Sequence, residues 1–207
     1  MVTITYGDGG FVQRLESLAG QLQRPAALAP VLGRKAVTVL KKHFREKDKS
    51  NANKLSDRRT HFWRAVADSV QAPVVDGSAN RITVSVNHTG LAQRYFGGTI
   101  RAKRVSLLTI PVSEEAYGRT ARTFEQETGS KLIFIRVGGK AANRFSNAVL
   151  ATERGGGLQI EYVLTPSVNQ EPDPSALPEQ NVMEQEIAAT AESFVARQVA
   201  RSTKEVS

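Results

Sequence analysis

The sequence predicts an α+β fold: N-terminal helices, an antiparallel sheet with a glycine-bounded insertion, and a tethered C-terminal helix. Three observations predict it. Apolar residues recur at helical spacing up to about Gln71. From Arg81 the period changes from 3.6 to 2, and after a proline-rich run at 166–178 the helical spacing returns. A chain of 207 residues suits one domain with its own core plus extensions. The expected division is an α+β domain over 1–165, a tether over 166–178 and a helix over 179–207.

The elements follow in order. Val2, Ile4 and Tyr6 alternate with threonines, as in a short strand or an ordered arm. Phe11, Leu15, Leu18 and Leu22 form one helical stripe that stops before Pro25. A second helix is expected from about Ala26 or Pro30 to about Lys47. Leu32, Ala36, Leu40 and Phe44 mark its buried side, and Lys41, Lys42 and Arg45 lie away from it. The polar stretch "EKDKSNANKLSDRRTH" reads as an exposed loop near 47–60. In "THFWRAVADSVQ" a third helix starts with Thr60 as N-cap and turns Phe62, Trp63, Val66 and Val70 to the core.

In "RITVSVNH", Ile82, Val84 and Val86 alternate with polar residues, the pattern of a half-buried antiparallel strand. "SLLTIPV" reads as a further strand running into a helix over "SEEAYGRTARTFEQETG", with a start near Ser113 and a stop at Gly129. Two more strands follow. Ile133, Ile135 and Val137 share a face in "KLIFIRV", as do Ile160, Tyr162 and Leu164 in "LQIEYVL". The glycine-bounded stretch between them is expected as an excursion over 138–157, a hairpin or a projecting loop. "PSVNQEPDPSALP" breaks regular structure. The last helix then sets Met183, Ile187, Ala191, Phe194 and Gln198 on one face.

Little here suggests catalysis. Cysteine is absent, which removes disulfides, thiolate metal sites and a cysteine nucleophile together. His43, His61 and His88 form no H-x-x-x-H pair, and no serine sits in G-x-S-x-G. "VGGKAAN" is not a P-loop: no glycine stands five residues upstream, and Ala141 replaces the magnesium-binding Ser or Thr. "YGDGG" lacks the third glycine of a dinucleotide fingerprint. No enzyme, metal or cofactor is expected. No window approaches the roughly 18 apolar residues of a membrane span. The N-terminus lacks a secretory pattern, so a soluble intracellular product without membrane contact is expected.

The net charge of +8 concentrates between Arg34 and Arg64. It reads as a solvated helix face, as a surface for phosphate, or as a surface for an acidic partner. Cations also interleave with aromatics at Arg58, Arg59, His61, Phe62, Trp63 and Arg64, and again at Arg94, Tyr95, Phe96, Arg101, Lys103 and Arg104. Such interleaving can hold a nucleic-acid strand, although no helix-turn-helix, RNA-recognition or zinc-finger signature accompanies it.

One stretch is more specific. "NHTGLAQRYFGGTIRAKRVSLLTIP", Asn87 to Pro111, closely resembles the signature of the phage virion morphogenesis, or tail-completion, family of Mu-like and related contractile-tailed phages. "GRKAVTVLKKHF", "NKLSDRRTHFW", "EAYGR" and "LTPSVNQEPDPSALP" agree with it in order, from about Gly33 to about Arg201, whereas 130–157 is less distinctive. The resemblance implies a structural protein of the virion neck or upper tail, assembled in the host cytoplasm. Such a protein completes or terminates the tail and joins it to the DNA-filled head. It acts as a ring of identical subunits, a hexamer by resemblance, contacting tail tube and sheath proteins, head–tail connector proteins and, non-specifically, packaged DNA. No cofactor is implied.

The residues add a physical reading. Gly97 and Gly98 permit backbone angles closed to other residues. Arg94, Tyr95, Phe96, Arg101, Lys103 and Arg104 have the composition of an interface centre with a cationic rim. Tyr95 and Phe96 read equally as core filling, and both readings hold if one ring points in and the other out. Lys140 and Arg144 in the 138–157 excursion are further interface candidates. Lys41, Lys42, Arg45, Arg58 and Arg59 are candidates for facing DNA or an acidic partner. The alternative class is a small basic protein that binds DNA non-specifically.

Overall fold

The computed structural model describes residues 2–3, 13, 16, 19–20, 25–50, 60–76, 81–103, 105–136 and 148–205. In chain order its elements are β1 (Val2–Thr3), α1 (Leu28–Ser50), α2 (Phe62–Asp68), β2 (Val74–Asp76), β3 (Arg81–Thr83), β4 (Ser85–Val86), α3 (Thr89–Phe96), β5 (Gly98–Arg101) and β6 (Leu108–Pro111). They continue with α4 (Ala121–Thr128), β7 (Ile133–Arg136), β8 (Ala148–Arg154), β9 (Gly157–Thr165), β10 (Ser167–Gln170) and α5 (Gln180–Glu205). All strand pairings are antiparallel, so the α+β class holds. The chain divides into two compact units, each built from separate stretches. One comprises Met1–Ser50, Phe62–Phe96 and Asp173–Ser207, and the other Asn51–His61 and Gly97–Pro172.

The first unit is organised by α1, whose 23 residues carry the predicted stripe. Leu40 and Phe44 bury fully against Trp63, Val66, Val86, Leu91 and Met183. The Phe44 and Trp63 rings stack with centroids 6.1 Å apart, the offset arrangement the ring quadrupoles favour. Further along, Leu28 and Leu32 close on Ala191 and Val195 of α5. The buried face of α5 also includes Val195, four residues from Ala191, and the expected Gln198 is half-buried like Ile187 and Phe194. The helix α2 begins at Phe62, one residue later than a Thr60 cap requires, and His61 before it has φ 49°. The predicted strand at Arg81 divides at Val84 into β3, which pairs with β2, and β4, which pairs with β1. The stripe of Phe11, Leu15, Leu18 and Leu22 lies outside the described residues. So does 51–59 of the expected 47–60 loop, while 47–50 is the last turn of α1.

The second unit contains a four-stranded sheet in the order β6-β9-β8-β7. α4 covers one of its faces, where Phe124 meets Tyr162, Ala116, Leu132 and Leu150. The helix over 113–129 is shorter than expected. Ser113–Gly118 is a turn, Gly118 has φ 75°, and the helix starts only at Ala121 under the Thr120 cap. Ser113 caps only that turn: its Oγ accepts from the Ala116 amide at 3.1 Å while its hydroxyl donates to the Glu161 carboxylate, and the turn ends at Gly118. The stop is where expected, with Gly129 in the left-handed region at φ 68°.

Two further expectations are corrected here. The 138–157 excursion is largely strand beyond residue 147. Ala148–Arg154 is β8, with Ala148, Val149 and Ala151 buried, and only Gly155 and Gly156 form the turn into β9. Small residues weaken the alternation there, which hid the strand. The 166–178 tether is instead built into the fold. β10 pairs with β5 in the second unit, and Pro174–Ala176 forms a 3-10 turn in the first, with Ala176 fully buried.

Candidate functional site

In the first unit the site begins with α3, a helix the sequence reading missed. Its eight residues bury only Leu91, too few for a periodic signal. α3 carries Arg94, Tyr95 and Phe96 at its end. The Arg94 guanidinium lies 4.8 Å from the Phe62 ring centre and 5.5 Å from that of Trp63, and the Lys47 ammonium sits 4.9 Å from the Trp63 ring centre. Arg94 therefore packs on the core, held by the ring faces, rather than standing on an outer rim. Tyr95 also packs on that core. Phe96 is 68% exposed, with its ring edge-on to Tyr95 at 4.9 Å. One ring points in and the other out.

Lys42 and Arg45 are exposed on α1, and Lys41 is half-buried. Lys42 lies 3.9 Å from Glu46. Lys35 reaches Glu186 at 2.6 Å, and this hydrogen-bonded pair holds the Glu186 carboxyl below the usual carboxylate range. His43 joins the 3-10 turn by its Nε2 to the Ser175 carbonyl at 3.1 Å, while Lys47 donates to Ser175 Oγ at 2.8 Å. Burial lowers the His43 pKa, and the nearby Lys47 charge acts the same way against the Ser175 bond. His88 lies edge-on to Phe62. Arg58 and Arg59 lie outside the described residues.

In the second unit β9 and β10 form a nearly continuous spine, and β5 and β6 pair with it in turn. Seven steps from Arg101 to Leu108 answer two from Thr165 to Ser167, so the chain loops out between the two strands. Lys103 and Val105 are exposed on that excursion. Arg101 ends β5, also exposed, opposite Ser167. Arg104, Lys140 and Arg144 lie outside the described residues. The double glycine has a local cause. Gly97 has φ 70°, and a Cβ there would stand 2.7 Å from both the Gln170 carbonyl oxygen and the Pro172 nitrogen. Gly98 follows at φ 112° and opposes Gln170. The pair lets β5 start alongside the end of β10.

The remaining surface is the sheet face opposite α4. A bulge shapes it. Leu150 opposes Tyr162 but Ala151 opposes Ile160, so Glu161 has no partner on β8 and the alternation shifts by one. Tyr162 then points to α4, and burial raises its hydroxyl pKa. Glu161 is fully buried, and its carboxylate accepts from Thr152 Oγ1 at 2.8 Å and from Ser113. Nearby, Arg154 binds the Glu115 carboxylate with both guanidinium nitrogens, which holds that carboxyl low.

Ile160, expected to share a face with Tyr162 and Leu164, therefore lies on the other face and is 48% exposed. Cross-strand register places Ile110, Ile133, Val149 and Val163 on that face too. Ile110, Val112, Ile133, Leu158 and Ile160 are each more than a third exposed. They flank Val149 and Ala151, which are buried on the same face, and exposed apolar side chains clustered in this way signal an interaction site. The alternation in "LTIPV" and "LIFI" assigns residues to a shared face, but not which face is covered.

Among the described residues no group of His, Asp and Glu is placed to hold a metal ion, and no helix is long and apolar enough to cross a membrane. No family model, no curated protein and no solved structure matches the chain.

Proposed function

We propose that this chain is a structural subunit of a virion neck or upper tail. It completes or terminates the tail and joins it to the DNA-filled head, working by assembly rather than catalysis. The observation that carries the reading is the apolar sheet face opposite α4, a surface that suits burial against protein. The ordered motifs around "RYFGGTIRAKR" and "LTIP" supply the phage context. Exposed Phe96, with Arg101 and Lys103 on the β5–β6 side, adds aromatic and cationic contact groups for tube, sheath or connector proteins. The test is electron microscopy of a lysate from phage lacking the gene. Uniform detached tails beside filled heads are expected for a joining role, and tails of scattered length for termination. Normal infectious particles would refute the assignment.

The exposed Lys42 and Arg45 on α1 favour a second reading, a small basic protein that binds DNA non-specifically. It requires tight duplex binding by the purified chain that weakens steeply with salt. Retention on purified neck partners but not on random DNA would dismiss it.

A further inference from the structure

The sheet of the second unit ends in β6 on one side and β7 on the other, among the described residues. An open edge offers unpaired main-chain groups, and proteins usually blunt it with charge, proline or a covering segment. At β6, Pro111 removes one donor from the strand. β7 has no such device until Arg136, and Phe134 is 55% exposed while Ile133 is 41% exposed. Such an edge fits an added strand.

We infer that β7 of one copy pairs antiparallel with β6 of a second copy, extending the sheet from subunit to subunit. The partner is a copy of this chain because its own other edge has the matching polarity and apolar face, at the cost of the one donor that Pro111 lacks. Four strands that alternate in direction leave β6 and β7 antiparallel to each other. A neighbour in the same orientation therefore presents β6 with the right polarity. The apolar faces must also coincide, since a one-residue slip turns every side chain over. Setting Ile135 opposite the neighbour's Ile110, and Ile133 opposite its Val112, meets that condition. Phe134 then covers Pro111, and Arg136 stands opposite Thr109. Ile110, Val112, Ile133 and Phe134 are each at least a third exposed in the single chain, so the pairing buries apolar surface that now faces solvent. A slip of two residues keeps the faces but sets Lys131 against Val112 and Arg136 against Leu107. Pairing β7 with β7 about Phe134 would bring Lys131 close to Arg136 at both ends, a like-charge contact.

The contact is head-to-tail, so repeated copies close into a ring or continue as a filament. Only closure into a ring rests on the virion reading above. The strand pairing itself concerns the purified chain.

The natural absence of cysteine makes the test clean. Within one chain β6 and β7 are three strand spacings apart, about 14 Å. A disulfide needs Cα atoms within roughly 7 Å, so an internal bridge between these edges is excluded. The double variant Ile135→Cys/Ile110→Cys, oxidised as the purified full-length chain, is expected to give a ladder of covalent oligomers, and each single variant none. Monomer only from the double variant, with circular dichroism unchanged, would overturn the pairing. So would a covalent dimer from the single variant Phe134→Cys, which reports β7 against β7. Independently, Thr109→Lys, which sets a cation against the neighbour's Arg136, is expected to weaken self-association about two- to fivefold, the range of an exposed charge pair, and adding Arg136→Glu to restore it. Failure of the restoration would count against the register. A ladder from protein whose loss leaves phage particles normal would refute the neck assignment and leave the strand pairing standing.

Discussion

Replacing Gly97 with alanine separates a conformational requirement from a steric one. At φ 70° an alanine pays the left-handed penalty of roughly 1 kcal/mol. Its methyl would also stand 2.7 Å from the Gln170 oxygen and from the Pro172 nitrogen, both main-chain atoms that cannot rotate away. Shifting backbone to admit one methyl costs about 1–3 kcal/mol, for a total of about 2–4 kcal/mol. Gly129 provides the control within the same unit: it has φ 68° and nothing within 4 Å of the added carbon. Gly129→Ala is therefore expected to cost only about 1 kcal/mol. Urea unfolding followed by circular dichroism measures both. If Gly97→Ala costs no more than Gly129→Ala, the close approach of β5 to the end of β10 is wrong.

Other outcomes follow from the packing. Phe44→Ala is expected to destabilise the first unit by about 3–5 kcal/mol, and Phe96→Ala by less than about 0.5 kcal/mol because its ring is largely exposed; a thermal scan of each variant checks the contrast. Thr152→Val removes one of the two hydroxyl donors to the buried Glu161 carboxylate, a loss of about 1.5–3 kcal/mol measurable by denaturant titration. His43 has its pKa lowered by burial, so the unfolded chain binds its proton more readily. Stability is expected to be full above about pH 6.5 and to fall as pH drops below that value through the lower folded pKa. His43→Gln should flatten that part of the profile, and an unchanged slope would remove His43 as its cause.

The strong periodicities were readable because they depend on one element at a time. The α1 stripe of Leu32, Ala36, Leu40 and Phe44 repeats over 23 residues, and burying it needs only some apolar partner. Gly129 announced a helix end, since a left-handed residue there is a local demand. The candidate site was legible in composition alone. The residues of "RYFGG" stood out, but their division of labour did not. Arg94 lies over Phe62 and Trp63 because α1, α2 and α3 meet there, and that meeting sends Tyr95 inward and Phe96 outward.

The sheet shows the same limit. A strand's alternation tells which residues share a face, but not which face is covered. The bulge at Glu161 reverses the alternation within β9, because Thr152 on β8 and Ser113 beyond β6 supply the hydroxyls that let a carboxylate be buried there. That moved Ile160 to the open face. The sequence by itself determined the α+β class, the main helices and strands, and the concentration of glycine, aromatic and cationic residues near 94–104. Only the tertiary structure decided which of those residues are core, which edges of the sheet are open and where its uncovered apolar face lies. Those depend on contacts between segments far apart in the chain, and no local pattern encodes them.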